Sequence, residues 1–169
     1  AMGRVIDDLA SCITAAGGGE TSRAHSGVWI GSPGAVTPLH HDAWPGLLFQ
    51  TAGRKSVTMF EPGDRGKLYF NFPVPTGSRW SRLPGRSADA DPRRFPRFGL
   101  ARRHTTVLEP GDALFVPTFW AHEMEALTAN ISIPLRLRAP LHTYLDPGFL
   151  RPAAEVLGGK LRAAKRLAA

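Results

Sequence analysis

A run of short apolar segments, each ended by glycine or proline, is the feature that most constrains what this chain can fold into. The 169 residues include 18 glycines and 15 prolines. Apolar runs this short are typical of strands joined by turns rather than of a helical bundle. The sequence therefore predicts a mainly β domain, a barrel or a sandwich. Its eight predicted strands are residues 28–31, 36–40, 46–52, 55–60, 105–108, 113–116, 122–127 and 131–137.

Helical patterns flank the predicted strands. Apolar residues recur at helical spacing over residues 4–16, and the glycines at 17–19 end that pattern. A second helical pattern begins at Pro147. The chain is thus divided into an N-terminal helix and linker (1–27), a β core (28–138) and a C-terminal helical segment (139–169). The C-terminal segment is a candidate surface for homodimerisation.

Several classes of protein are disfavoured by the composition. The chain has no apolar stretch long enough to span a membrane and no signal-peptide pattern at its start, so we expect no membrane association. The single cysteine, Cys12, excludes an internal disulfide, which favours a cytoplasmic location. Because free cysteines are often buried, Cys12, which lies within the helical pattern, is expected to pack in the protein core.

Positive charge is concentrated in a Pro- and Arg-rich insert at residues 71–103. The whole chain carries a net charge of +7, and residues 79–103 hold eight arginines against two aspartates. Such a field attracts an acidic partner, for example RNA or an acidic carrier protein. The alternative is an arginine-rich loop that only faces solvent. A loop of this length in a compact domain is usually a functional lid or a disordered segment.

A His-x-Asp tripeptide in the second predicted strand is the first chemical signal. Side chains alternate between the two faces of a strand, so His40 and Asp42 share a face and His41 points to the other. One nitrogen and one oxygen ligand on a common face make two-thirds of a two-histidine, one-carboxylate metal site. The tripeptide alone also fits a turn aspartate beside a half-buried histidine.

A second unit, at residues 108–123, ends on another histidine. Its sequence is LEPGDALFVPTFWAHE, in which PGD signals a tight turn and ALFV an apolar strand. A further turn at residues 117–120 then delivers His122 to the start of the next strand. Closure of a barrel would let His122 meet residues about eighty positions earlier in the chain.

Together these motifs resemble a known family. Residues 37–42 (TPLHHD), 47–55 (LLFQTAGRK), 60–62 (FEP) and 110–122 (PGDALFVPTFWAH) are similar, in order, to the JmjC/cupin-like (cupin 8-type) Fe(II)/2-oxoglutarate dioxygenases. The likeness is strongest to the asparaginyl hydroxylase that inhibits hypoxia-inducible factor. The resemblance covers residues 28–137 and implies a double-stranded β-helix, the jelly-roll or cupin barrel.

The resemblance also implies a cofactor set and its ligands. It makes His40, Asp42 and His122 the catalytic iron ligands, and Lys55 the partner of the distal carboxylate of 2-oxoglutarate, with Thr37 assisting. Physical chemistry agrees for Lys55, because a buried ammonium on a neighbouring strand needs an anion.

Two positions depart from the family pattern. Gly46 stands where the hydroxylase has an asparagine close to the cosubstrate, and Arg136 lies near a position on the last strand where an asparagine is common. Arg136 would either add a second charge for a carboxylate of 2-oxoglutarate or face solvent. Among the tryptophans that could line a substrate pocket, Trp44 is a better candidate than Trp80 or Trp120.

The function implied is an Fe(II)- and 2-oxoglutarate-dependent oxygenase that hydroxylates a peptidyl or protein residue. Two alternatives stay open at this point. One is a hydroxylase of tRNA, of a free amino acid or of an amino acid tethered to a carrier, which the basic insert would suit. The other is a non-catalytic cupin-like module that keeps the metal motif but, with Gly46 and Arg136, no longer holds 2-oxoglutarate.

Overall fold

Short strands dominate the computed structural model, which describes residues 2–15, 21–22, 26–70 and 79–138. One helix, α1 (Met2–Ala15), precedes the strands. Three short 3-10 turns follow at Pro62–Lys67, Ser87–Asp89 and Phe98–Leu100. The nine strands of the described residues are β1 (Thr21–Ser22), β2 (Trp29–Gly31), β3 (Val36–His41), β4 (Gly46–Ala52), β5 (Lys55–Phe60), β6 (His104–Leu108), β7 (Ala113–Val116), β8 (Ala121–Ala126) and β9 (Asn130–Leu137).

These strands form two antiparallel sheets. The first has the order β1-β9-β4-β7, with β2 also pairing with β9, and the second has the order β3-β8-β5-β6. From β2 onward the chain alternates between the sheets, and only β5 and β6 lie consecutively in one of them. This winding is that of a double-stranded β-helix, so the predicted mainly β, jelly-roll fold is confirmed.

All eight predicted strands are present: three have the predicted bounds, four differ by one residue at one end, and β8 is displaced by one residue at both ends. The pair of residues in β1 was not predicted, because two residues are too few to show a pattern. Cys12 is exposed, so the expectation that it packs in the core is wrong. The predicted C-terminal helical segment lies outside the described residues, as does the dimer surface placed on it.

Apolar side chains pack on both faces of the second sheet, because alternate residues of its strands point in opposite directions. Met59 belongs to the cluster inside the barrel, whereas its neighbour Phe60 belongs to a second cluster outside it. Residues 79–103 supply Leu83, Phe95 and Phe98 to this outer cluster. The described part of the insert is therefore a packed cover over the second sheet rather than a disordered loop.

No helix in the parts of the chain that the structure describes is long and apolar enough to cross a membrane.

Candidate metal centre

Two histidines on neighbouring strands and one aspartate form the candidate centre. His40 on β3 and His122 on β8 are direct partners across the strand pair, with ring centroids 4.2 Å apart. Asp42 follows β3 immediately, and its Oδ2 lies 4.0 Å from His40 Nε2 and 3.6 Å from His122 Nε2. All three side chains are buried, and one ligand atom from each lies within 4.8 Å of the others. The structure thus brings together the three predicted ligands.

The turn before β8 holds Asp42 in place. Phe119, in this turn, has a positive φ of 61°, a conformation that is uncommon for a bulky residue. Its backbone N–H donates a hydrogen bond of 2.8 Å to the carbonyl oxygen of Asp42. The ring of Phe119 packs against His41, which is 1 % exposed and also contacts Phe70. His41 therefore points away from the centre, as alternation predicts, but it is not a surface residue.

Backbone carbonyls select the ring nitrogens that face the centre. His40 Nδ1 donates to Pro38 O at 2.8 Å, and His122 Nδ1 donates to Trp120 O at 3.0 Å. A carbonyl can only accept, so the proton of each neutral ring sits on Nδ1 and the lone pair on Nε2. Burial lowers the pKa of His40, and burial with the nearby His40 lowers the pKa of His122 to about 4. Both rings are therefore neutral at pH 7, the form that binds a metal.

Asp42 is an anion whose Oδ2 faces both histidines and Arg136. Burial alone would raise its pKa, but the charges of Arg136 first, then of the histidines and Arg79, bring the pKa below its usual value. Arg136 Nη2 lies 2.6 Å from Oδ2, and Arg79 Nη1 lies 3.8 Å from Oδ1. Oδ2 is buried and has no well-aligned hydrogen bond within the described residues. A carboxylate oxygen of this kind beside two imidazole nitrogens suits a divalent metal such as Fe(II).

Arg136 reaches the centre because residue 46 has no side chain. Gly46 on β4 is the direct partner of Arg136 on β9. A Cβ placed on Gly46 would lie 3.1 Å from Arg136 Nη1 and 3.0 Å from Leu135 O. The side chain of Arg136 is 16 % exposed, so the solvent-facing alternative is wrong. Its guanidinium contacts Asp42, one of the three predicted ligands.

Lys55 begins a buried chain of hydrogen bonds that the sequence did not reveal. Lys55 Nζ donates to Ser132 Oγ at 2.7 Å, and Ser132 Oγ donates to Gln50 Oε1 at 2.8 Å. Gln50 Nε2 in turn donates to the carbonyl oxygens of Ala52 and Gly53 at 2.7 and 2.9 Å. Every proton of this chain is directed from the ammonium toward the backbone. The chain uses one of the three ammonium protons and leaves the others for a ligand.

No carboxylate of the described residues neutralises this ammonium group. Lys55 is 6 % exposed, its Nζ lies 5.7 Å from the centroid of the Trp29 ring, and burial lowers its pKa. Buried cations are normally paired with an anion. Lys55 is therefore suited to bind an anionic group of a ligand.

A cavity of about 370 Å³ adjoins this ammonium group. Lys55 and Thr37 both line it, together with Trp29, Met124 and Asn130. A second, smaller space of about 10 Å³ is lined by His122, Gly46 and Arg136, and it shares Trp29 and Met124 with the larger one. His122, one of the three predicted ligands, and the predicted cosubstrate residues Lys55 and Thr37 thus line neighbouring spaces.

The insert also reaches the candidate centre, which the sequence did not show. Residues 79–81 pair with β3, because His41 N donates to Arg79 O and Ser81 N donates to Leu39 O. This pairing places the Trp80 ring 4.6 Å from the His40 ring. Trp44, the preferred pocket residue from the sequence, is 39 % exposed in the turn after Asp42. Trp80, which the sequence did not favour, contacts the centre through His40.

Comparisons with known proteins agree with this geometry. The model of the cupin-like domain family (Cupin_8) matches residues 6–135. HSPB1-associated protein 1 of Rattus norvegicus is 43 % identical over 104 residues, 60 % of this chain and 21 % of that protein. tRNA wybutosine-synthesizing protein 5 of Danio rerio is 36 % identical over 104 residues, 62 % of this chain and 30 % of that protein. Lysine-specific demethylase 8 of Xenopus tropicalis is 34 % identical over 105 residues, 62 % of this chain and 23 % of that protein.

The chain thus spans less than a third of the length of these relatives. Among solved structures, the ribosomal oxygenase YcfD from Escherichia coli matches with 23 % identity and a TM-score of 0.42, over 70 % of this chain and 24 % of that one. The family model covers the barrel and all three residues of the centre. This chain belongs to the cupin-like domain family, of the JmjC type.

Proposed function

We propose that this chain is an Fe(II)- and 2-oxoglutarate-dependent oxygenase that hydroxylates a residue of a peptide or protein. The observation that carries the proposal is the pairing of two features inside one barrel. One is the His40–Asp42–His122 ligand set, and the other is the buried, anion-free ammonium of Lys55.

Fe(II) and 2-oxoglutarate, when bound, supply the chemistry by which O₂ inserts one oxygen atom into a substrate C–H bond and the other into succinate, with release of CO₂. His40 and His122 offer neutral Nε2 lone pairs, and Asp42 offers a carboxylate oxygen. Three ligands on one side of a metal leave the opposite side open for a chelating acid and O₂.

Lys55 binds and orients the far carboxylate of the cosubstrate in this proposal. Its ammonium is held by Ser132, and Thr37 adds a hydroxyl in the same cavity. Arg136 is a second cation and lines the smaller space beside His122. We propose that it approaches the carboxylate of the cosubstrate that lies nearest the metal. Trp29 and Met124 add apolar surface to the cavity wall, and a lower local dielectric constant beside them strengthens ionic contacts.

The proposal of a protein substrate draws on the names of the relatives only in part. Lysine-specific demethylase 8 and the ribosomal oxygenase are named for protein or ribosome substrates, and tRNA wybutosine-synthesizing protein 5 for tRNA. A tRNA or a carrier-tethered amino acid is therefore the alternative substrate for the same chemistry.

A second candidate function is a non-catalytic module, and one contact favours it. Arg136 Nη2 lies 2.6 Å from the carboxylate oxygen that a metal would use, so the guanidinium could occupy the place of the cation. In that case Asp42 would be neutralised without any metal.

Metal and cosubstrate titrations separate these two functions. Under anaerobic conditions, the oxygenase is expected to bind Fe(II) and then to develop a visible charge-transfer band when 2-oxoglutarate is added. The band should be absent in His40→Ala, and succinate should form when air is admitted. A wild-type protein that binds neither Fe(II) nor 2-oxoglutarate would contradict the oxygenase and support the arginine-neutralised module.

A further inference from the structure

We propose that residues 79–103 form a recognition surface for an acidic, Asp/Glu-rich peptide segment, and that Arg79 anchors one of its carboxylates at the mouth of the metal centre. This inference rests on the proposed function, because it names the substrate class for the same site. Neither the family nor the ligand set determines it.

The first support is an excess of positive charge, of which the described residues neutralise only a part, through Asp42 beside Arg79 and Glu125 beside Arg86. Residues 79–103 carry eight arginines and two aspartates. Arg86 is paired with Glu125 on β8. Within the part of the chain that the structure describes, neither Arg94 nor Arg97 has a carboxylate at ion-pair distance, although both are exposed.

The second support is that these guanidinium groups are held in fixed positions. Arg97 lies over the ring of Tyr69 at 5.1 Å, and Arg94 lies over the ring of Phe95 at 5.3 Å. The two rings contact each other edge to face, with centroids 5.0 Å apart. Stacking fixes the plane of a guanidinium, so less conformational entropy is lost when it binds an anion.

The third support is continuity with the metal centre. Arg79 is stacked on Trp80 at 5.1 Å, and Trp80 in turn contacts the His40 ring. The side chain of Arg79 is 58 % exposed, and its Nη1 lies 3.8 Å from Asp42 Oδ1. A hydrogen bond from Arg82 N to Tyr69 O then joins this strand to the ring beneath Arg97. The segment that carries Arg79 at the centre is therefore hydrogen-bonded to the residue whose ring lies beneath Arg97.

The stacking geometry favours a carboxylate-rich peptide over RNA. Single-stranded RNA is bound mainly by bases that stack on exposed aromatic or guanidinium faces. Here the guanidinium groups of Arg94 and Arg97 cover one face of the Phe95 and Tyr69 rings, so these rings are less available to stack on bases, whereas the N–H edges of the guanidiniums stay exposed. Those edges bind carboxylates in a bidentate manner.

Binding of labelled peptides tests this proposal without any metal or cosubstrate. The probes are a glutamate–serine repeat peptide, its glutamine–serine counterpart of equal length and an oligo(A) RNA, each followed by fluorescence anisotropy. We expect the glutamate peptide to bind, the glutamine peptide not to bind, and affinity to fall steeply as salt rises from about 50 to about 200 mM. Oligo(A) is expected to compete weakly.

Matched variants locate the surface. Arg94→Gln with Arg97→Gln, and separately Arg79→Gln, are each expected to weaken glutamate-peptide binding by about tenfold. The control is Arg54→Gln, which also removes one positive charge. Arg54 lies just before β5, at the end of the strand away from Phe60 and the insert, and pairs with Glu109. It should change affinity less than about twofold. Unfolding curves that match the wild type show that each variant is folded.

Three results would overturn the proposal. They are equal weakening by Arg54→Gln, equal binding of the glutamine peptide, or oligo(A) binding more tightly than the glutamate peptide and being weakened by the same variants. Because these measurements use metal-free protein, they stand or fall independently of whether the chain turns over 2-oxoglutarate.

Discussion

Replacing Lys55 by methionine tests the proposed cosubstrate site most directly. Methionine keeps the length and volume of the side chain but removes the ammonium that donates to Ser132 and faces the cavity. A hydrogen bond to a charged group contributes about 1.5–3 kcal/mol. The loss of one such contact with a carboxylate therefore weakens 2-oxoglutarate binding by about ten- to a hundredfold.

That loss is large enough to measure by thermal unfolding. A ligand present at about 100 times its Kd stabilises the wild-type protein by about 2.7 kcal/mol. For a chain of this length, that corresponds to a rise of about 5–11 °C in Tm. At the same ligand concentration the Lys55→Met protein would gain only about 0.4–1.4 kcal/mol, or about 1–6 °C. Scanning fluorimetry with Mn(II), with and without 2-oxoglutarate, measures both shifts.

The ligand-free Lys55→Met protein gives a second, independent readout. Because burial lowers the pKa of Lys55, the unfolded wild-type chain binds more protons than the folded one in the pH range between that lowered pKa and 10.5. Wild-type stability therefore rises as pH increases toward 10.5, and this contribution disappears in the variant. The control is Lys67→Met, which breaks a pair with Asp64 outside the cavity and should keep the full ligand shift. An undiminished ligand shift in Lys55→Met would refute the assignment of Lys55.

Three further predictions concern residues around the centre. Ser132→Ala should raise the KM for 2-oxoglutarate severalfold without changing kcat in turnover assays. The reason is that the Lys55 ammonium loses the hydroxyl that positions it but keeps its charge. An unchanged KM would contradict this role. Gly46→Ala should destabilise the fold by about 1–3 kcal/mol in urea unfolding, since the new Cβ meets Arg136, whereas Gly63→Ala, whose Cβ meets nothing, should not. His41 has a pKa lowered to about 3 by burial, so its folded form resists protonation and its contribution to stability is complete above pH 6.5 and lost as pH falls. At pH 5 this loss is about 2 kcal/mol, and urea curves of the wild type and of His41→Phe should show a shallower decline for the variant.

The fold and the proximity of His40, Asp42 and His122 were predictable because they depend on local patterns. Strand alternation placed His40 and Asp42 together, and turn residues at 110–112 and 117–120 marked the return to His122. Both patterns extend over only a few residues, so they can be recognised without knowledge of the tertiary structure. The resemblance to a known family then supplied Lys55, which the buried position in β5 supports.

The second set of contacts was not predictable, because it depends on which strands become neighbours. Ser132 lies 77 positions after Lys55 and 82 after Gln50, and nothing in the local sequence distinguishes it from any other strand serine. Trp80 reaches His40 only through a pairing between the insert and β3. A basic, proline-rich stretch gives no periodic signal for such a pairing, so its sequence predicts only a lid or a disordered loop.

Gly46 and Arg136 show how two departures from a family pattern become one feature in the structure. In the sequence, each stands near a position where the family has an asparagine, and the two together favour weaker binding of 2-oxoglutarate. The register of β4 and β9 places them directly opposite each other, and the missing side chain of Gly46 provides the space that the arginine occupies. The pair therefore exchanges two neutral hydrogen-bonding groups for one cation beside Asp42. A cation there holds Asp42 ionised, and in the proposed oxygenase it would also attract a carboxylate of the cosubstrate, so the exchange is compatible with an acid cosubstrate.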